Sequence, residues 1–258
     1  MELDGRVAVV TGGTRGVGAG IARAFLEAGA EVVVCARRPP EVPVEAAGRK
    51  AAFRPVDLRS ADAVEDFFAG VVASYGHLDV LVNNAGGGPY RLLDEGGAQR
   101  HAKVVELNLI APMIASLAAY PHLKAVRGSI VMIGSVSGTR PSPGTAAYGA
   151  AKAGLDNLAR SMAVEWAPEV RVNTLVLGMV RTELAHLHYG DGDGLAAVAR
   201  TIPAGRMAEP SDIGDAAVFL ASPKAAYVNG ASLLVHGGGE RPAFLDAANV
   251  NNSESKES

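Results

Sequence analysis

Thr11-Gly12-Gly13-Thr14-Arg15-Gly16-Val17-Gly18 lies between an apolar, β-branched run, Arg6–Thr11 (RVAVVT), and a helix-like stretch, Gly16–Ala28. Glycines at 12, 16 and 18 permit a tight turn and a close approach of a pyrophosphate to the backbone. The unpaired N–H groups and positive dipole at the start of the helix then favour the anion. At this composition T-G-x3-G-x-G arises by chance only ~1% of the time, so a bare strand–helix turn is the weaker account of it. The spacing differs from the G-x-G-x-x-G of other dinucleotide folds.

Further along, short apolar runs alternate with helical patterns. Glu31–Ala36, Val80–Asn83, Ser129–Ile133, Val170–Leu177 and Ser232–His236 read as strands, and Ala61–Tyr75, Gln99–Ala119, Thr145–Ala167 and Asp212–Ala221 as helices. Near-continuous apolar strands separated by helices predict an α/β fold: one Rossmann-type, doubly wound parallel sheet flanked by helices on both faces. No linker, repeat or composition shift divides the chain, so residues 1–246 read as one dinucleotide-binding domain. Prolines at 39, 40 and 43 mark a surface loop. A stretch of about 183–205, with glycines at 190, 192 and 194, reads as a built-in substrate loop, its glycines serving lid mobility. The polar tail 247–258 reads as frayed.

Composition narrows the function. The 258 residues carry 24 basic and 27 acidic side chains, and the resulting charge of -3 gives no electrostatic case for nucleic acid. Aromatic residues, at 5%, are too few for a base-stacking platform. Cys35 is the single cysteine and reads as a small buried hydrophobe, not part of a disulfide scaffold. There is no secretory leader pattern, and the longest apolar stretch, Leu107–Leu123, is interrupted by Pro112 and Pro121. A cytoplasmic protein without a membrane span is expected. His186 and His188 form H-x-H without a third ligand, so no metal site is expected.

Tyr148 and Lys152 stand four apart on a predicted helix, hence on one face. Six tyrosines and six lysines give Y-x3-K a ~14% chance of arising at random, and Tyr120/Lys124 repeat the spacing. Pro121 disfavours helical dihedrals at Tyr120, which argues against one-turn geometry for that second pair.

These motifs together resemble the classical short-chain dehydrogenase/reductases, over roughly residues 5 to 239, with 3-oxoacyl-thioester reductases among the members most alike. The glycine loop is joined by Asp57-Leu58, Asn83-Asn84-Ala85-Gly86, Gly205-Arg206-Met207 with Pro210, and Ala221-Ser222, all in the family's order. The resemblance implies a catalytic set of Asn108, Ser135, Tyr148 and Lys152, with Ser135 thirteen residues before Tyr148 and Asn108 anchoring a water in a proton relay. A nearby ammonium favours phenolate, so Lys152, helped by the positive nicotinamide in the oxidised complex, is expected to lower the pKa of Tyr148. The same likeness gives Gly12, Thr14, Arg15, Gly16, Val17, Gly18, Arg37, Asp57, Leu58, Asn84, Ala85, Gly86, Gly178, Val180 and Thr182 as cofactor contacts, besides Tyr148 and Lys152.

The second strand closes on Cys35-Ala36-Arg37-Arg38, with no acid to bind a ribose 2′-hydroxyl. Guanidinium groups at Arg15 and Arg37 suit a 2′-phosphate instead. NADP(H) is therefore the expected cofactor, with NAD(H) as the alternative, and a small carbonyl or alcohol the expected substrate. The resemblance also implies a homotetramer or homodimer. Two positions depart from the family pattern: Leu177 replaces a usual proline in N-x3-P-G-x3-T, and His236 an aspartate in D-G-G. A catalytically silent cofactor-binding protein, regulatory or redox-sensing, is the second reading. In both readings cofactor is expected to perturb Trp166 fluorescence.

Overall fold

The computed structural model describes residues 2–248. Seven strands form one sheet in the order β5-β2-β1-β6-β7-β8-β9, every pairing parallel. They are β1 (Val7–Thr11), β2 (Glu31–Ala36), β5 (Ala52–Pro55), β6 (Val80–Asn83), β7 (Ser129–Ser135), β8 (Arg171–Leu177) and β9 (Ser232–Val235). A two-stranded hairpin, β3 (Glu45–Ala46) with β4 (Arg49–Lys50), follows the proline-marked loop.

Helices α1 (Gly16–Glu27) and α8 (Pro210–Ala221) cover one face, while α2 (Ala61–Tyr75), α4 (Ala111–Val126) and α5 (Ala146–Glu165) cover the other. The all-buried run of β1 is what a strand inside such a sandwich requires. The chain winds outward from β1 to β5, then returns to add β6 on the other side of β1. The strand order thus reverses between β1 and β6, where open α/β sheets bind ligands at the strands' carboxyl ends.

Several expectations need correction. The edge strand β5 has no counterpart in the sequence reading, because its half-exposed Ala52–Pro55 (AFRP) lacks a continuous apolar signal. The helix expected over 99–119 is one helical run, Ala98–Val126, made of α3 (Ala98–Val105), a π-helical turn (Glu106–Ile110) and α4. Its prolines do not interrupt it. Pro112 sits in the first turn of α4, where a missing N–H is tolerated, and Pro121 lies inside that helix. The 29 residues are long and apolar enough to cross a membrane by length and composition, yet Ala111, Ala115, Ala119 and Leu123 pack into the core beneath the sheet.

The stretch 183–205 is not a plain loop. It holds α6 (His186–Tyr189) and α7 (Gly192–Thr201), so Gly192 and Gly194 belong to a helical turn, where Asp191 caps Gly194 N–H at 3.2 Å. A last helix, α9, spans Ala243–Ala247. Of the tail expected to fray, 247–258, Ala247 instead closes α9 and Ala248 caps it, while 249–258 lie outside the described residues.

Candidate active site

The two halves of the sheet are joined at the reversal point by one hydroxyl. Thr11 Oγ1 donates to Val82 O (3.2 Å) and accepts from the N–H groups of Asn84 and Ala85, both at 3.0 Å. Asn84 Nδ2 returns donations to the carbonyls of Thr11 and Gly12 at 2.9 and 3.2 Å. The glycine loop is thereby fastened to Asn84-Ala85, and Gly12 and Gly18 are required there for packing. A Cβ on Gly12 would lie 3.0 Å from Ala85 Cα, and one on Gly18 would meet the Asn84 amide.

Gly16 differs. It adopts a positive φ of 54° at the start of α1, and the space beside it opens toward Thr182 and Glu183. No side chain of the N-cap, Arg15, caps this helix. Instead the Glu183 carboxylate lies at its first turn, Oε1 accepting from Gly16 N–H at 3.4 Å. A carboxylate drawn to that point marks it as an anion seat, which is what a cofactor pyrophosphate needs. Glu183 had no sequence signal of its own; only the fold carries the segment after β8 across to α1.

Ser135, expected just past its strand, is the last residue of β7. Its Oγ accepts from Ser137 N–H at 3.2 Å, leaving the hydroxyl proton free to turn toward Tyr148, where it favours the phenolate. Tyr148 and Lys152 share one face of α5, and Lys152 Nζ sits 5.6 Å from the Tyr148 ring centroid. Lys152 is 4% exposed and donates to Ile133 O at 2.7 Å. Burial holds its pKa down, to about 8. Tyr148 moves the other way from expectation: burial raises the phenol above its ordinary value, and the Ser135 hydrogen bond offsets only part of this. The ammonium does not prevail: it is itself desolvated, and its Nζ lies 5.6 Å from the ring centroid.

Asn108 is fully buried in the π turn, but its amide is engaged. Oδ1 accepts from Gly87 N–H, and Nδ2 donates to Gly87 O and Val104 O, each at 2.9 Å. Its side chain therefore pins the segment after β6. Gly86 fits between Asn108 and Lys152: a Cβ there would lie 2.5 Å from Asn108 Oδ1 and 3.5 Å from Lys152 Nζ. Gly86 itself lies three residues beyond β6, in the loop.

The segment after β8 is held by its neighbours. Val180 bridges to Ala208, Arg181 N–H donates to Ala208 O, and Ala208 N–H to Met179 O. Gly178 packs on His236, where a Cβ would lie 2.8 Å from His236 Cβ, so its demonstrable role is to seat β8 beside the end of β9. Leu177, in place of a proline, ends β8 buried. Gly205-Arg206-Met207 has a structural use: Arg206 forks onto Asp212 at 2.6 and 2.9 Å, fixing the carboxylate that caps α8 through Glu209 N–H.

At the outer end of the crevice, Asp57 is gripped by Arg59 at 2.5 and 2.9 Å and held down at a pKa of about 2. Arg37 is exposed at the end of β2 and adds its charge to the same carboxylate. Thr14, Arg15 and Val17 flank the opening of α1 and Leu58 is buried behind Asp57. His186 and His188 form no metal cluster, and no group of three metal-ligating side chains occurs among the described residues.

Two sequence arguments fail here. Tyr120 and Lys124 do share a helical turn, with Lys124 Nζ 5.8 Å from the Tyr120 centroid, because Pro121 is accommodated within α4. What sets the pair aside is location: Tyr120 stacks on Trp166 and Lys124 pairs with Glu169, at the amino ends of the strands. Trp166 caps the far end of α5, about 27 Å along its axis from Tyr148 at 1.5 Å per residue. It is therefore badly placed to report on cofactor.

The family model described as enoyl-(acyl carrier protein) reductase matches residues 12–240. The chain is 37% identical to the L-fucose dehydrogenase of Oryctolagus cuniculus, over 92% of this chain and 85% of that protein. It is 35% identical to the 3-oxoacyl-[acyl-carrier-protein] reductase of Vibrio cholerae, over 92% and 98%. A short-chain dehydrogenase/reductase of Serratia marcescens, solved as a doubly substituted variant, superposes with a TM-score of 0.84 at 30% identity, covering 92% of this chain and 99% of that one. With the parallel sheet, the glycine loop and the Ser135–Tyr148–Lys152 geometry already assembled, these matches make the chain a member of the classical short-chain dehydrogenase/reductase family of oxidoreductases.

Proposed function

We propose that the protein is an NADP(H)-dependent oxidoreductase that interconverts a carbonyl and a secondary alcohol, with Tyr148 as the proton donor and acceptor. The observation that carries this reading is the convergence of Ser135, Tyr148 and Lys152: the Ser135 hydroxyl acts on a phenol kept protonated by burial, and Lys152 Nζ lies 5.6 Å from the centroid of that ring. The residues at the crevice fit a dinucleotide, since the α1 N-terminus already attracts an anion and the glycine loop leaves the approach to it open. Asn84 to Gly86, Lys152, Val180 and Thr182 would hold its nicotinamide half. When bound, the nicotinamide supplies or accepts the hydride.

The chain's residues do the remaining work. Ser135 orients the substrate oxygen and stabilises charge developing on it. The Tyr148 O–H bond breaks as its proton passes to the oxygen that becomes the alcohol; in the reverse direction the phenolate takes the proton back. A phenol raised above its usual pKa is poised as an acid at neutral pH, so reduction is the favoured direction there and oxidation gains at alkaline pH. Lys152, fixed by Ile133 O, places positive charge below the ring as the phenolate forms.

Arg15 and Arg37 support the choice of NADP(H). Both are exposed at the crevice, and among the described residues neither side chain makes a hydrogen bond or a close ion pair, Arg37 acting on Asp57 only at longer range, so both are available to a 2′-phosphate. A homotetramer or homodimer belongs to the same reading and is favoured by Leu233 and Leu234, exposed on edge strand β9. The reading is tested with a carbonyl panel at fixed NADPH, repeated with NADH. Tyr148→Phe is expected to lower turnover by roughly 10²–10⁴-fold while leaving NADPH binding intact. Normal turnover by that variant would refute the mechanism, and no turnover by the unaltered chain would favour the silent binding protein.

A further inference from the structure

A cavity of about 370 Å³ opens beside Tyr148, between α3, the segment Gly87–Arg91 and the start of α5. Its two ends differ chemically. At the inner end a Cβ on Gly88 would sit 3.5 Å from both Tyr148 Cβ and Val104 Cγ1, and the wall is Val104, Leu107, Ala146 and Ala147. Outward, the lining becomes Arg91, Arg100 and Lys103.

The gradient is written into one helical stripe. Positions 100, 103, 104 and 107 follow the i, i+3, i+4, i+7 spacing that places side chains on a single face. That face is basic at Arg100 and Lys103 and apolar at Val104 and Leu107. Its inner end is fixed by Asn108, which lies beside Gly86 and Lys152. Arg100 stands two turns outward from Asn108, ~12 Å along the axis.

These charges are not consumed by the protein. Among the described residues Arg91, Arg100 and Lys103 make no ion pair. The nearest acids in sequence are Asp94 and Glu95 on the adjoining loop and Glu106 on the same helical run; the Glu95 carboxylate is turned to Leu92 N–H at 3.3 Å, and Glu106 lends its charge to Arg59. Arg100 and Lys103 are exposed at the rim and Arg91 is half-buried, so an anionic group entering the cavity meets three unneutralised cations outward of its apolar end. A neutral carbonyl compound would make no use of them.

We propose that the substrate carries an anionic oxyacid group, a carboxylate or a phosphate, roughly 10 Å from its reacting carbonyl. Arg100 and Lys103 bind that group from α3 and Arg91 from across the cavity. The proposal rests on the carbonyl–alcohol reading for the identity of the reacting group, but the anion site itself does not.

The test uses the full chain saturated with NADPH and methyl-ketone carboxylates of increasing chain length, from levulinate upward, each beside its methyl ester. An optimum at intermediate length is expected, with kcat/KM for the acid about tenfold or more above that of its ester. Added salt is expected to erode that preference. Arg100→Gln with Lys103→Gln should abolish the preference while leaving ester turnover unchanged. Calorimetry with alkanoates and alkyl phosphates on the same complex reads the site without turnover, and the tighter class identifies the headgroup. Anions that bind and are lost in the double variant uphold the site even if no ketone is reduced, in which case the oxidoreductase reading fails alone. Equal turnover of acids and esters at every length, or anion binding that survives the double variant, overturns the proposal.

Discussion

Lys152 gives the sharpest test of the site's electrostatics. Its ammonium is buried, bonded to Ile133 O and held at a pKa of about 8 against an ordinary 10.5. The folded pKa is therefore depressed for a cation, so between those two values the unfolded chain holds a proton that the folded chain lacks. Unfolding free energy must then rise with pH across that window, by about 1.4 kcal/mol per unit. The whole shift, roughly 2.5 units, corresponds to about 3 kcal/mol of penalty present below pH 8 and relieved by about pH 10.5. Lys152→Met removes the titrating group while keeping a long unbranched side chain. Urea denaturation of the cofactor-free protein, followed by circular dichroism at half-unit steps of pH, gives the two curves. Their difference cancels groups that titrate in the same range independently of Lys152. The unaltered protein is expected to gain on the variant by about 2–3 kcal/mol between pH 8 and pH 10.5. A flat difference would refute the desolvated ammonium of Lys152, and with it the account of why that ammonium does not depress the Tyr148 phenol.

Other consequences are simpler to check. Arg37→Ser is expected to weaken NADPH binding about tenfold or more, the value of a charge-assisted phosphate contact, with little effect on NADH; equal losses for both would remove Arg37 from cofactor selection. Glu183→Gln removes the carboxylate that competes for the α1 N-terminus and should tighten cofactor binding roughly two- to fivefold, measured by NADPH fluorescence. Weaker or unaltered binding would mean the carboxylate is no competitor. Cys35 is buried with its thiol pushed up to about 12, so aromatic disulfide reagents should label it only on unfolding. Rapid native labelling would contradict the packing of β2.

The strands were legible where burial on both faces makes the sequence uniformly apolar, as in β1 and β2. β5 was not, because a half-exposed edge carrying Arg54 gives neither a continuous run nor a clean alternation. The residues proposed for catalysis were legible by type and spacing: Tyr148 and Lys152 share one face of α5, and Ser135 closes β7 within reach of the phenol. Their protonation was not, since it depends on how deeply each atom is buried and on where the ammonium lies relative to the phenol. Asn108 was found, but spacing could not show that its amide is occupied by Gly87. The Tyr120 pair shows the opposite limit. Pro121 argued for a broken helix, yet packing of α4 against the sheet outweighs the local preference, and only three-dimensional position removes that pair from the chemistry. Glu183 and the basic stripe of α3 carry no motif and became visible only once distant segments were brought side by side.

The π turn at Glu106–Ile110 places a length constraint on the helical run that contains it. A π turn accommodates about one residue more than the α-helix it interrupts, and one residue is about 100° of rotation. Here that surplus sets the azimuth of α3 relative to α4, letting one continuous rod turn its later half to the sheet and its earlier half to the cavity. Deleting a single residue between 106 and 110 would relax the turn to regular α-helix without breaking it. It would also swing Arg100, Lys103 and Val104 about a quarter-turn off the cavity wall. Among family members, indels inside this helix would then alter what the cavity accepts while Ser135, Tyr148 and Lys152, on β7 and α5, stay where they are.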